Sequence, residues 1–257
     1  MSADHVARNR GLWERDADTY QDDHAESLPV DRMVWGVWQV PEAELGLLGQ
    51  VAGTRVLELG CGAAQWCARL ASAGASPVGL DVSVNQLRHG VRVRDGIGAS
   101  YPLIAGDAEH LPFADASFDL VLSDWGAPGF TDPYVSIPEA ARVLVPGGSL
   151  VFCTAHPLEF LSYDADQDTR STSFQRAYFG LHQVTNAEGI VEFNLTFEAW
   201  FELFRSAGLV VERLVEPQPP VGARTTYAAY GDLEWGRRFP YEVIWRVRKT
   251  PPVALRW

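Results

Sequence analysis

Cysteine is scarce: Cys61, Cys67 and Cys153 are the only three in 257 residues. A low, odd count argues against a disulfide framework and fits a reducing compartment, so a cytoplasmic location is expected. No run approaches the roughly 18 consecutive apolar residues of a membrane span. Residues 1–10 are polar and mixed in charge, with no apolar signal-peptide core. Positive charge is also in deficit, with 21 Lys and Arg against 33 Asp and Glu, a formal net charge of −12. A surface of that sign repels a phosphate backbone, so nucleic acid is not an expected substrate. No His, Cys and Asp cluster has metal-ligand spacing, and no metal is expected. Internal repeats and low-complexity tracts are missing too. Apolar residues, by contrast, make up 47 %, enough for a full core without disulfides or metal. The length suits one α/β domain, with or without a small lid. Assembly stays open between monomer and homodimer.

The pattern along the chain divides it into five stretches. Residues 1–50 read as a helical, aromatic-rich N-terminal cap. Trp13, Ala17, Tyr20 and His24 fall at spacings of four, three and four, on one helix face. That stripe serves either core packing or closure over a ligand. Residues 51–156 alternate short apolar runs with helical patterns. Strands are expected at 56–59, 77–80, 103–105, 118–122 and 149–153, and helices at 65–73, 84–93 and 137–144. Pro146-Gly147-Gly148 reads as a turn, and so does Asp132-Pro133-Tyr134. Such alternation over short connections predicts a doubly wound parallel sheet. Residues 157–195 carry aromatics in no clean period and read as a lid insertion over the strand ends. Residues 196–250 complete the sheet with a helix at 197–206 and strands at 209–215 and 241–248. Residues 251–257 read as a loose tail.

Chemistry concentrates where an open parallel sheet builds its ligand crevice, at the carboxyl ends of strands. Glu58-Leu59-Gly60-Cys61-Gly62-Ala63-Ala64 combines a tight turn with a helix start. Gly60 and Gly62 permit close backbone approach, and the exposed N–H groups can bind an anionic group. The third glycine of a dinucleotide fingerprint is replaced by Gln65, which would crowd a pyrophosphate. Glu58 at the strand end is likewise a poor neighbour for pyrophosphate and a good one for a cationic amino group. The site therefore favours an aminoacyl ligand over a nicotinamide dinucleotide. Asp81, 23 residues further on, can accept two ribose hydroxyl protons. Asp107 can accept from an adenine amino group, and the Ala108 N–H can donate to the ring. Ser123-Asp124-Trp125-Gly126 would flank the reacting end.

Residues 11–156 resemble the class I S-adenosylmethionine-dependent methyltransferases, in particular their ubiquinone-biosynthesis-like branch. The resemblance rests on five pieces in order: Val56-Leu57-Glu58-Leu59-Gly60-Cys61-Gly62, Gly79-Leu80-Asp81-Val82-Ser83, Gly106-Asp107-Ala108-Glu109-His110-Leu111-Pro112-Phe113, Ser117-Phe118-Asp119-Leu120-Val121 and Leu144-Val145-Pro146-Gly147-Gly148. It implies a mostly parallel seven-stranded sheet with the last strand antiparallel. It also implies S-adenosylmethionine as cofactor and a small-molecule methyl acceptor of quinone, phenol or secondary-metabolite type. By the same resemblance Gly60, Cys61 and Gly62 line the methionine moiety and Asp81 holds the ribose. Val82 and Gln86 lie beside the adenosine, Asp107 and Ala108 read the adenine, and Ser123 backs the sulfonium side. Tyr20 has a counterpart near the carboxylate in relatives. Ala64 departs from the pattern, standing where the family often has a third glycine.

His156, after the fifth strand, is the candidate catalytic residue. It reads either as a general base or substrate anchor, its ordinary pKa lying near working pH, or as a loop residue that caps the strand or holds the lid. His5, His89 and His110 read as solvent-facing. Two alternatives to methyl transfer stand beside it. One is an S-adenosylmethionine-binding enzyme of the same fold with non-methylating chemistry, and the other is a non-catalytic binding module.

Overall fold

A computed structural model describes residues 3–164 and 169–251. Seven strands form one sheet: β1 (Arg55–Leu59), β2 (Ser76–Asp81), β3 (Leu103–Ala105), β4 (Phe118–Asp124), β5 (Leu144–Ala155), β6 (Leu209–Val215) and β7 (Glu242–Lys249). Their spatial order is β6-β7-β5-β4-β1-β2-β3. The pairs among β1 to β5 are parallel. β7 slots between β5 and β6 and runs antiparallel to both. The order reverses between β1 and β4, which opens a crevice at the carboxyl ends of those strands.

Both faces of the central strands β1, β4 and β5 are covered, so their middles are apolar. Alternate residues enter two different cores. Leu57, Val121, Phe152 and Trp245 pack on one side with Ile137, Trp200 and Phe204. Those three come from α4 (Pro133–Val143) and α6 (Phe197–Ser206). Val56, Leu122, Val151 and Ile244 pack on the other side with Trp66 and Leu70 of α2 (Gln65–Ser72), and with Trp35 and Leu47 from the N-terminal region. α3 (Val84–Gly96) starts where Ser83 accepts a hydrogen bond from the Gln86 N–H.

α1 (Ala3–His24) lies across the crevice and is tied down by polar side chains. Asn9 Nδ2 donates to the carbonyls of Phe130 and Val191, at 3.0 and 2.8 Å. The Glu14 carboxylate accepts from the Val84 and Asn85 N–H groups at the start of α3. His5 is not solvent-facing: its Nε2 meets Glu109 Oε1 at 2.7 Å in a buried contact. The insertion consists of α5 (Pro157–Ser162), a strand pair at Tyr163–Asp164 and Thr169–Arg170, and a hairpin at Gln183–Thr185 and Val191–Phe193.

Two further sequence expectations need correction. Pro146-Gly147-Gly148 is not a free turn but lies inside β5, where a register shift opposite Phe118 and Leu120 absorbs the extra residues. Asp132-Pro133-Tyr134 opens α4: Asp132 accepts from the Tyr134 N–H at 3.0 Å, and proline suits the first turn. The connection from β6 to β7 contains a short helix, Leu233–Arg238. The expected tail falls mainly on residues 252–257, outside the described residues.

Candidate active site

The loops after β1, β2, β3 and β4 meet at one edge of the sheet and shape a cleft with three lobes. Gly60 and Gly62 follow β1 with φ of +65° and +52°. Ala64, where the third glycine is missing, takes the same left-handed conformation, φ +57°. A side chain at Gly60 would lie 2.3 Å from the Ala127 backbone nitrogen, so that glycine is required by close approach of the β4 loop.

Asp81 ends β2 and locks the turn. Its Oδ2 accepts from the Gly62 N–H at 2.7 Å and its Oδ1 from the Ser83 N–H at 2.8 Å. Each oxygen keeps a lone pair for a further donor. Asp107 accepts from the Glu109 N–H at 2.9 Å. The first lobe is lined by Gly60, Gly62, Asp81, Val82, Gln86, Asp107 and Ala108, and covered by Trp13, Tyr20 and Phe130. Gln65, Gln21 and Gln86 form a short amide chain, with bonds of 2.9 and 2.7 Å, that fastens α1 over the glycine turn.

The second lobe adjoins the first at Gly60, Gly62, Tyr20 and Trp125. Its walls bring in Glu58, Cys61, Arg69 and Asp124. Glu58 accepts from the Cys67 N–H at 2.8 Å. Burial pushes its carboxyl up to about 7 and that of Asp81 to about 6, while Asp124 is raised for the same reason. Arg69 was not anticipated from the sequence. It is 5 % exposed; Nε donates to the Pro29 carbonyl at 2.6 Å, and Nη1 has no hydrogen-bond partner. Desolvation lowers its pKa only to about 10, so it is charged at neutral pH. The available signal was an arginine at helical spacing from Trp66 on an otherwise buried helix face.

The third lobe is a cavity of about 400 Å³ under the insertion, joined to the first at Trp13, Tyr20, Trp125 and Phe130. Trp125 has a positive φ, +51°, unusual for so large a residue. It is held there by its Nε1, which donates to Glu242 Oε2 at 2.7 Å, and by its N–H, which donates to the Cys153 carbonyl at 3.1 Å.

Residues 57–152 match the family model described as a methyltransferase domain. Demethylmenaquinone methyltransferase of Mycobacterium sp. (strain KMS) is 45 % identical over 106 residues, covering 41 % of this chain and 44 % of that protein. The matched part thus spans less than half the length of that relative. A solved S-adenosylmethionine-dependent methyltransferase from Mesorhizobium loti superposes with TM-score 0.65 at 24 % identity, over 80 % of this chain and 95 % of the other. The cyclase SpnF superposes with TM-score 0.64 at 18 % identity, over 94 % of each chain. Residues 57–152 thus match a methyltransferase domain, and the sheet around them has the fold of solved S-adenosylmethionine-dependent methyltransferases.

The cleft fits an aminoacyl nucleoside on structural grounds. The first lobe offers Asp81 and Asp107 as acceptors under aromatic cover. The second offers an orphaned buried guanidinium N–H beside buried carboxyls, complementary to a ligand end carrying both carboxylate and ammonium. Arg69→Met is expected to lower affinity for S-adenosylhomocysteine about tenfold or more, the scale of one charge-assisted hydrogen bond. The unliganded chain should also melt a few degrees lower, since Nε loses its bond to the Pro29 carbonyl. Calorimetry and a thermal melt check the two halves.

Ten of the twelve expected site residues line this cleft's first two lobes, Tyr20 reaching all three. Ser123 does not: it is fully buried, and its hydroxyl donates to the Leu59 carbonyl at 2.6 Å, tying β4 to β1. His156 does not either. It is 1 % exposed and N-caps α5, its Nδ1 accepting from the Leu158 N–H at 3.0 Å, while Nε2 meets Glu216 at 2.9 Å. Both ring nitrogens are therefore engaged outside the three lobes, and His156 caps a helix of the insertion rather than the strand. Desolvation lowers its pKa, against the pull of Glu216. Among the described residues no group of three or more His, Cys, Asp or Glu could hold a metal ion. No described helix is long and apolar enough to cross a membrane.

Proposed function

We propose that this chain transfers a methyl group from S-adenosylmethionine to a small molecule seated in the third lobe. The observation that carries the reading is the arrangement of the cleft. Donors and acceptors for an aminoacyl nucleoside line two lobes, and an aromatic chamber opens beside their junction. The 45 % identical relative is a methyltransferase, whereas the cyclase shares only the fold, which does not decide a reaction. The net charge of −12 favours a small molecule over nucleic acid, and three buried free thiols favour a reducing compartment such as the cytoplasm.

Bound S-adenosylmethionine supplies an electrophilic methyl group on a sulfonium. The protein's task is alignment and exclusion of water. In this reading Asp81 orients the ribose, Asp107 and Ala108 the adenine, and Arg69, Glu58 and the Gly60–Gly62 turn the aminoacyl end. Trp13, Tyr20, Trp125 and Phe130 surround the passage between cofactor and acceptor and keep it dry. Incubation with S-adenosylmethionine and candidate acceptors, followed by mass spectrometry, tests the reading. A product heavier by one methyl group, with S-adenosylhomocysteine released, supports it. An isomerised product with the cofactor unconsumed contradicts it.

His156 lies outside this machinery. His156→Ala is expected to leave S-adenosylhomocysteine affinity unchanged. Loss of the cap should lower the melting temperature by a few degrees, from about 1 kcal/mol of stability. A marked loss of affinity without a drop in melting temperature would return His156 to the site.

A further inference from the structure

The third lobe has a definite chemical character that the family relationship does not supply. Six rings form a belt around it. Phe130 meets Trp13 edge-on at 5.4 Å, Trp13 meets Tyr20 at 5.4 Å, and Tyr20 lies 6.3 Å from Tyr227. Tyr227 lies 6.5 Å from Tyr230, and Tyr230 lies 5.1 Å from Trp125. All six line the chamber, and Phe130, Trp13, Tyr20 and Trp125 also face the cofactor lobe. The Tyr20 and Tyr227 hydroxyls bond to each other at 3.0 Å.

The charged groups lining this belt are mostly acidic: Asp16, Asp23, Glu159, Glu188 and Glu192 against Arg170. Asp16 is paired with Arg15 at 2.7 Å. Glu159 is paired with Arg170, whose third donor goes to the Ala229 carbonyl at 3.1 Å. The Arg170 charge is therefore balanced by Glu159 and offers little net attraction to an anionic acceptor. Asp23, Glu188 and Glu192 have no ion-pair partner among the described residues. The first two are exposed, and Glu192 lies deeper. Asn186 Nδ2 donates to Glu192 Oε1 at 2.8 Å, and Oε2 has no hydrogen-bond partner among the described residues.

Resting on the methyl-transfer reading above, we infer that the acceptor is an amine carried on an aromatic or apolar frame, its nitrogen held by the ring belt and by Glu192. Aromatic faces and an unpaired carboxylate together attract an ammonium group. The same groups, with acidic residues at the mouth, repel a phenolate or quinolate, the charged nucleophile of the opposite acceptor class. The step balances without another reactant. The ammonium passes one N–H proton to the Glu192 carboxylate. The freed nitrogen lone pair forms the N–C bond to the methyl carbon, and the C–S bond breaks with its electron pair going to sulfur. The methylated ammonium leaves, and Glu192 returns its proton to water. Burial holds the Glu192 carboxyl at about 7, where it can take up and release that proton near neutral pH.

The test uses the full chain saturated with S-adenosylhomocysteine and three probes: 2-(aminomethyl)naphthalene, the isosteric 2-naphthalenemethanol, and 1,4-dihydroxynaphthalene. Calorimetry at pH 7.5 should show the amine binding about tenfold or more tightly than either hydroxyl compound. Glu192→Gln should reduce that preference to within about threefold while leaving S-adenosylhomocysteine affinity unchanged, because Glu192 lies outside the cofactor lobes. Equal or tighter binding of a hydroxyl probe, no binding of the amine, or an undiminished preference in Glu192→Gln overturns the inference. None of these results touches the methyl-transfer reading. That reading fails by a separate result, the absence of S-adenosylhomocysteine binding in the first titration.

Discussion

Gly60→Ala is expected to abolish measurable binding of S-adenosylhomocysteine while leaving a folded chain of lower melting temperature. Two independent features set the size of the effect. Gly60 has φ of +65°, where an alanine is strained, by roughly 1 kcal/mol or more. The added Cβ would stand 2.3 Å from the Ala127 nitrogen and 2.9 Å from Gly126 Cα and carbonyl carbon. These are backbone atoms, so the β1 turn and the β4 loop must part. Both line the cofactor lobe, and Trp125 beside them lines all three lobes. Circular dichroism and a thermal melt separate a folded, non-binding chain from an unfolded one. Binding within a few fold of wild type would show that the close approach of the two loops is not required.

Asp81→Ala is expected to weaken S-adenosylhomocysteine binding about a hundredfold. The variant loses a charged acceptor, worth roughly 1.5–3 kcal/mol per hydrogen bond. It also frees the Gly62 and Ser83 N–H groups that the carboxylate now holds, so the glycine turn loosens. The same residue gives affinity a pH dependence. Burial raises Asp81 to about 6 and Glu58 to about 7, so both are partly protonated in the unliganded chain below neutral pH. A ligand with an ammonium group and ribose hydroxyls favours their ionised forms, so affinity should climb from pH 5 to 8 and binding should release protons. For the unliganded fold the sign is opposite. Both folded values lie above those of an unfolded chain. The stability these groups contribute is complete below about pH 4 and is lost as pH rises through about 6 and 7. Titrations in two buffers of different ionisation enthalpy would count the protons, and Asp81→Ala should release fewer. An affinity flat with pH in the wild type would remove both carboxyls from the binding event.

Much of this site was legible because it depends on short-range chemistry. Gly60, Gly62, Asp81 and Asp107 each sit at a strand end, and hydrophobic alternation locates strand ends well. The boundaries of β3, β6 and α6 follow from the sequence for the same reason. The long-range facts were not legible. Arg69 enters the site because Asp124 and Trp125, far from it in the chain, join Glu58 in closing a lobe around its free donor. His156 has its environment set by Glu216, 60 residues away, and no local pattern reveals that. Ser123 lies at the expected strand end, but its hydroxyl turns inward to the Leu59 carbonyl. Pro146-Gly147-Gly148 reads as a turn by composition, yet it lies within a strand as an irregular stretch between Leu144 and Ser149, where the pairing to β4 shifts register. The insertion has no clean period because its aromatics go different ways: Phe160 and Tyr163 line the chamber, whereas Phe174 and Phe179 face solvent.

The most direct measurement is a calorimetric titration of the purified chain with S-adenosylhomocysteine and, separately, with NAD. Saturable one-to-one binding of the first, lost in Gly60→Ala and weakened in Asp81→Ala, with no heat from the second, is the expected result. Binding of NAD in the same cleft, or no binding of S-adenosylhomocysteine at any pH between 5 and 8, would contradict it.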